Sequence, residues 1–414
     1  MPATTADPVA PIDSAWISTG GTGAPNYDEF NSYDEVTALI AANPKSILGV
    51  DMPHCGAEQR AAGVSFLAAL PVARDRLAEL KAGGSYAEQH DVLVAYRITG
   101  PGVAAHGVYA MVATAEISDR ADAPGRVIRN EDVFIEKVRE RTAHLDALQH
   151  IVSPVLLLAS TTADELDQAI REFMSGAGAA FGSDTDENGL LHELWLMPDS
   201  PARVGVLDLL NRTDLVVADG NHRSLAAQTA GLDRFLAVVT TYHSVRIEPY
   251  NRLLRSLPIA ADDFVAALQP AGFDVQPTDA APRASAPGDP MEVHLADGRA
   301  FELRAKDRDG SVVDRMDHTV AERRIFADVL SLDPGAADIA YVGGEIGIDV
   351  LREDLAAGRA AAVITIAPVT VEEFVDVNLE RLKMPRKSTW FTPKARAGLV
   401  LVDLAGRPRS TSED

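Results

Sequence analysis

The chain has 414 residues, of which 38 are Lys or Arg and 61 are Asp or Glu, for a formal net charge of −23. At roughly 150 residues per domain this length suggests two or three domains, and 46% apolar residues suffice for a sizeable core. The acidic balance argues against a nucleic-acid coat or an anionic-membrane binder, because both work through an excess of Lys and Arg. A single cysteine, Cys55, excludes an intrachain disulfide framework and a Cys-rich zinc site. No apolar run approaches 18 residues, so a conventional membrane-spanning helix is not expected. Residues 1–10 lack the basic and apolar regions of a secretory signal. The expectation is a cytoplasmic protein with no membrane and no nucleic-acid partner.

In chain order, residues 1–25 are rich in Pro, Ala, Thr and Gly and read as a flexible arm. A helix is predicted over 34–42 and a strand over 46–50 (SILGV). Residues 57–83 are Ala/Leu-rich with an internal Pro71, which predicts two helices. Residues 91–97 and 107–115 read as paired strands. A short strand at 126–129 precedes apolar residues at helical spacing over 131–151. PVLLLAS, from Pro154, reads as a strand, and 162–174 as a helix with Asp164 and Glu165 in its first turn. Residues 214–242 read as a buried strand (LVVA), a tight turn, a short helix stopped by Gly231, and another strand. Residues 270–290, with five prolines, read as a linker. A hairpin follows around Asp297-Gly298, then helices at 320–330 and 348–357, a strand at 361–366, a helix at 371–382, and a final strand in GLVLVDL.

The turn Asp219-Gly220-Asn221-His222-Arg223-Ser224 is the first place where chemistry is expected. A helix start offers unpaired backbone N–H groups and a partial positive charge, hence an anion site. Gly220 permits close backbone approach, Arg223 can fork onto phosphate oxygens, and His222 can donate to another. The same pattern also suits a plain capped turn with a surface arginine. Asn130-Glu131 precedes the long helix; as an N-cap and a first-turn acid the pair needs no further role. In KMPRKSTWFTPK, residues 383–394, Lys387, Ser388, Thr389 and Lys394 flank Trp390 and Phe391. The upstream glycines of a P-loop are missing there. The acidic turn at 184–189 lacks the closing glutamate of a calcium loop, and Gly20-Gly21-Thr22-Gly23 is not followed by a helix.

ADGNHRSLAA resembles the DGHHR-type box of the ParB/sulfiredoxin-like superfamily. More specifically, the chain resembles a widespread domain-of-unknown-function family related to free L-serine kinases. Four places carry the likeness: the Tyr27-Asp28 box, GRVIRNEDVFIEKVRERTAHLDAL, the DGNHR box, and MPRKSTWFTPKARAGLVLVDL. Together they span residues 27–404. The resemblance implies an α/β protein with a ParB/sulfiredoxin-like core over 120–245. An N-terminal α/β portion at 26–119 and a C-terminal α/β domain at 246–414 would flank it.

The resemblance further implies a kinase that moves phosphate from ATP or ADP, with Mg²⁺, to a hydroxyl of a metabolite such as serine. Glu131 would be the general base, together with His222 as the second catalytic residue. Gly220, Asn221, His222, Arg223 and Ser224 would hold nucleotide phosphates, and Asp219 the metal. Lys387, Ser388, Thr389 and Lys394 would hold a substrate carboxylate or a terminal phosphate. Three positions depart from the family pattern: Asn130, Asn221 and Asn251 stand where histidine is usual, and amides do not shuttle protons at neutral pH. A non-catalytic nucleotide-binding protein and an NTP hydrolase are therefore carried as alternatives. Sulfinic-acid reduction is excluded, because that chemistry needs a cysteine where Asn221 stands.

Overall fold

A computed structural model describes residues 7–30, 32–118, 125–129, 133–344, 348–385 and 387–405. The protein is mixed α/β and divides into two units. The first comprises residues 1–245 and 393–414, and the second residues 246–392. The portions expected at 26–119 and 120–245 share one sheet, and the end of the chain returns to that sheet.

Among the described residues this sheet has thirteen strands. Its main path runs Ile117–Ser118, Val127–Ile128, Leu215–Asp219, Val155–Ala159, Arg234–Thr240, Val103–Ala113, Tyr86–Gly100, Ile12–Ser18, Val400–Asp403 and His150–Ile151. Strands Val155–Ala159, Leu215–Asp219 and Arg234–Thr240 are buried, apolar runs apart from the half-buried Asp219 and Arg234 at their ends. That pattern is expected where both faces of a sheet are covered. Leu215–Asp219 pairs antiparallel with Val155–Ala159, which pairs parallel with Arg234–Thr240. Helices Ile135–Leu148 and Asn221–Thr229 pack against each other.

Four sequence expectations change. Residues 1–25 are not simply an arm: Ile12–Ser18 is an inner strand, paired with Tyr86–Gly100 on one side and Val400–Asp403 on the other. The run IDSAWIS buries Ile12, Ala15 and Ile17, a pattern hidden by the surrounding Pro and Gly content. SILGV is not a strand, because Leu48–Asp51 is a helical turn with Asp51 N–H bonded to the Ile47 carbonyl at 2.8 Å. A five-residue apolar run does not by itself separate strand from buried helix. Pro71 lies inside the helix Phe66–Ala82; the break from Ala57–Ala61 comes earlier, before the N-cap Ser65. Within 270–290, Phe273–Thr278 is a strand at the edge of the second unit's sheet. An edge strand tolerates Pro277, which has no N–H to donate.

Among the described residues of the second unit, a six-stranded sheet runs Phe273–Thr278, Ala300–Ala305, Met291–Leu295, Ala362–Thr365, Tyr250–Leu254 and Ile339–Gly343. Every pairing is antiparallel. Leu254, Phe264, Phe273, Val293, Phe326 and Ile364 form its core.

Because Ile12–Ser18 is paired on both edges, removing residues 1–18 should abolish cooperative unfolding of the first unit. Deletion of a true arm would leave the urea transition where it was. Circular dichroism against urea for the truncated and full chains distinguishes the two.

Candidate functional site

The strand Leu215–Asp219 ends at Asp219, and Gly220 turns the chain into the helix Asn221–Thr229. Gly220 sits at φ 100°, in the left-handed region, as the N-cap. A Cβ there would also lie 3.1 Å from Arg223 Nε. Glycine is thus required both for the backbone conformation and for the guanidinium packed against it. The Ser224 N–H bonds to the Gly220 carbonyl at 2.9 Å, and Ser224 Oγ donates to the Asn221 carbonyl at 3.0 Å. The positive end of the helix dipole lies at this turn.

Arg223 is 8% exposed and turns inward. Nη1 donates to Asn26 Oδ1 at 2.6 Å and to the Pro154 carbonyl, and Nη2 to Asp219 Oδ2. Burial opposes its charge, but the nearby carboxylates of Asp219, Asp28 and Glu29 outweigh it and raise the guanidinium's pKa. The terminal nitrogens expected to fork onto phosphate are thus bonded to protein groups.

Asn26 joins three segments. Besides accepting from Arg223, its Nδ2 donates to Glu29 Oε1 at 2.6 Å and to the Ala395 carbonyl at 3.2 Å. Beside Ala395, Lys394 places Nζ 3.6 Å from Asp219 Oδ1. Burial pushes the Glu29 carboxyl up, against the pull of Lys394. The Tyr27-Asp28 box, the DGNHR box and Lys394 therefore meet at one place in the first unit. Asn26 and Glu29 were not singled out in the sequence; their nearness to the Tyr27-Asp28 box was the available signal.

His222 is half-buried. Its Nε2 accepts the Phe134 N–H at 3.0 Å, and the two rings are parallel, 5.9 Å apart between centroids. An accepting Nε2 fixes the Nδ1–H tautomer. Phe134 caps the helix Ile135–Leu148. Glu131 and Asn130 lie outside the described residues.

Further back, Arg141 bonds Asp51 Oδ1 at 2.8 Å, and Ser153 Oγ bonds Asp51 Oδ2 at 3.2 Å. The Arg141 guanidinium lies 4.1 Å from the Tyr27 ring centre. Tyr27, Asp51, Arg141, Ser153 and Arg223 form the polar wall of a cavity of about 40 Å³. Among the described residues, Tyr27 OH, Arg141 Nε and Arg223 Nε have no protein partner. The space suits about two or three bridging waters.

Lys387, Ser388 and Thr389 belong to the second unit. There Ser388 Oγ donates to the Pro385 carbonyl at 2.7 Å, and Lys387 Nζ lies 5.5 Å from the Tyr250 ring centre. Asn251, on Tyr250–Leu254, accepts the Ile366 N–H at 3.3 Å.

Asp219 fits a metal-ligand role poorly. One carboxylate oxygen bonds Arg223 and the other faces Lys394. Among the described residues no group of three His, Cys, Asp or Glu side chains could hold a metal ion.

Gly220→Ala should cost at least about 1 kcal/mol from the left-handed backbone alone, and should displace Arg223 from Asn26. A urea midpoint equal to wild type would contradict this. His144, also buried, bonds the Val50 carbonyl at 3.0 Å through Nε2. Burial, reinforced by Arg141, lowers its pKa from 6.5 to about 4. Between those values the unfolded chain binds the extra proton. Stability should be full above pH 6.5 and fall as the pH drops towards 4, by up to roughly 3 kcal/mol. His144→Gln should flatten this limb of the urea midpoint plotted against pH; an unaltered slope would locate the acid sensitivity elsewhere.

In fold the chain is similar to a free serine kinase solved in complex with AMP, at 14% identity and a TM-score of 0.38, covering 70% of this chain and 92% of that one. It is similar also to a conserved hypothetical protein from Pyrococcus furiosus, at 13% identity and a TM-score of 0.37, covering 70% and 95%. A third likeness is to SbnI from Staphylococcus aureus with a C-terminal truncation, at 12% identity and a TM-score of 0.39, covering 72% and 88%. No curated protein matches the sequence. Residues 22–323 match the family described as "Protein of unknown function (DUF1015)", and the chain belongs to that family.

Proposed function

We propose that the protein is a small-molecule kinase that transfers a phosphoryl group from ATP or ADP to the hydroxyl of a metabolite, such as serine or another hydroxylated amino acid. The observation that supports this reading best is the meeting of three distant segments. Phe134, three residues after Glu131, bonds His222, and Lys394 faces Asp219 on the same turn.

Phosphoryl transfer depends chiefly on positioning and charge neutralisation. In this reading the start of the helix Asn221–Thr229 receives the nucleotide phosphates, with the backbone at Gly220 and Asn221, the Ser224 end of the turn and the His222 ring around them. Lys394 supplies the nearby cation. Arg223 acts as a positioning residue, fixing Asp219 and Asn26 so that the turn keeps its shape. Glu131 takes the proton from the acceptor hydroxyl. The hydroxyl oxygen attacks the terminal phosphorus, and the bond to the bridging oxygen breaks with its electron pair leaving on the shortened nucleotide. No step is assigned to a metal at Asp219. Lys387, Ser388 and Thr389 are assigned, on the resemblance alone, to an acceptor carboxylate or a terminal phosphate.

One observation favours the second reading, nucleotide binding without turnover: Arg223 and Asp219 are engaged with each other. The two readings part in one experiment. Protein incubated with ATP or ADP, Mg²⁺ and a pool of hydroxylated metabolites is examined by mass spectrometry for phosphorylated products. A product, lost in Glu131→Gln while nucleotide affinity stays within a few-fold, supports the kinase. Binding without product supports the second reading, and phosphate release without an acceptor product indicates a hydrolase. If Glu131→Gln turns over like wild type, the assignment of the base fails.

A further inference from the structure

Large apolar side chains are usually withdrawn from water. Phe134 and Ile135, consecutive at the start of the helix Ile135–Leu148, are 50% and 54% exposed. The Phe134 ring lies parallel to His222, with 5.9 Å between centroids and 5° between planes. Its position is set by the backbone, because the Phe134 N–H bonds His222 Nε2. An exposed aromatic face is thereby held beside the turn at which an anion would be received.

We infer that Phe134 is the stacking platform for the base of a nucleotide whose phosphates rest on the turn 219–224. This inference deepens the proposed function and rests on its phosphate cradle. The ring lies against His222, the second residue of the turn's helix, so a base stacked on it would sit near phosphates held at the helix start. Aromatic stacking is tolerant of base identity, because every base presents a π-face. The donor class is therefore a nucleoside di- or triphosphate rather than an inorganic polyphosphate, with weak discrimination between adenine and guanine. Ile135, the next residue in the chain, is exposed as well.

The test compares ADP, GDP and inorganic pyrophosphate by calorimetry on the full chain. Wild type is expected to bind ADP and GDP alike, and both roughly 10- to 100-fold more tightly than pyrophosphate. Phe134→Ala keeps the backbone N–H and its bond to His222 while removing the ring. It should lose that preference and leave pyrophosphate affinity unchanged. Phe134→Trp should restore the preference, which separates stacking from a merely structural role. An equal loss of ADP and pyrophosphate in Phe134→Ala would overturn the inference, as would undiminished ADP binding. If wild type binds ADP and pyrophosphate equally, the platform fails and the cradle survives; if it binds neither, both readings fail.

Discussion

A guanidinium removed from water keeps its charge only if anions and acceptors surround it. Arg223 meets that requirement with Asp219, Asn26 and the Pro154 carbonyl. These groups come from the turn itself, from the N-terminal loop and from the start of the strand Val155–Ala159. Satisfying one charge thereby fixes the relative placement of three pieces of chain. Gly220 is part of the same constraint, since a side chain there would press on the guanidinium. The shape of the turn thus follows from the neutralisation of Arg223.

A second buried pair repeats the arrangement one layer back. Asp51 and Arg141 tie the helical turn Leu48–Asp51 to the helix Ile135–Leu148. Arg141 also stacks against Tyr27, the neighbour of Asn26. Breaking such a pair by removing one partner commonly costs about 3–5 kcal/mol, because the other charge stays buried. The two arginines share a cavity wall, so the start of the helix Ile135–Leu148, where Phe134 meets His222, is braced against the network that shapes the turn.

Much of this was legible in the sequence. The strand, turn and helix over 214–242 were readable because Gly220 and the flanking LVVA have few alternatives. The paired strands at 91–97 and 107–115 followed from apolar, β-rich runs, and the hairpin at Asp297-Gly298 from turn chemistry. The inward course of Arg223 was not readable, since its partners Asn26 and Pro154 lie 197 and 69 residues away. Helix Leu48–Asp51 was missed because its apolar residues are buried regardless of period. The strand Ile12–Ser18 was missed because composition, which sees Pro and Gly, outweighed a seven-residue pattern. The meeting of Lys394 with Asp219 depends on tertiary return of the chain, to which local spacing is blind.

The return itself bears on how the protein comes into being. Residues 246–392 interrupt the first unit, whose sheet needs both Ile12–Ser18 and Val400–Asp403. Emerging from the ribosome, an early strand must wait for one of the last before its pairing is complete. Asn26 likewise waits for Ala395, and Asp219 for Lys394. The nascent chain therefore carries an open sheet edge throughout synthesis of the inserted unit, a period in which chaperone cover would matter most.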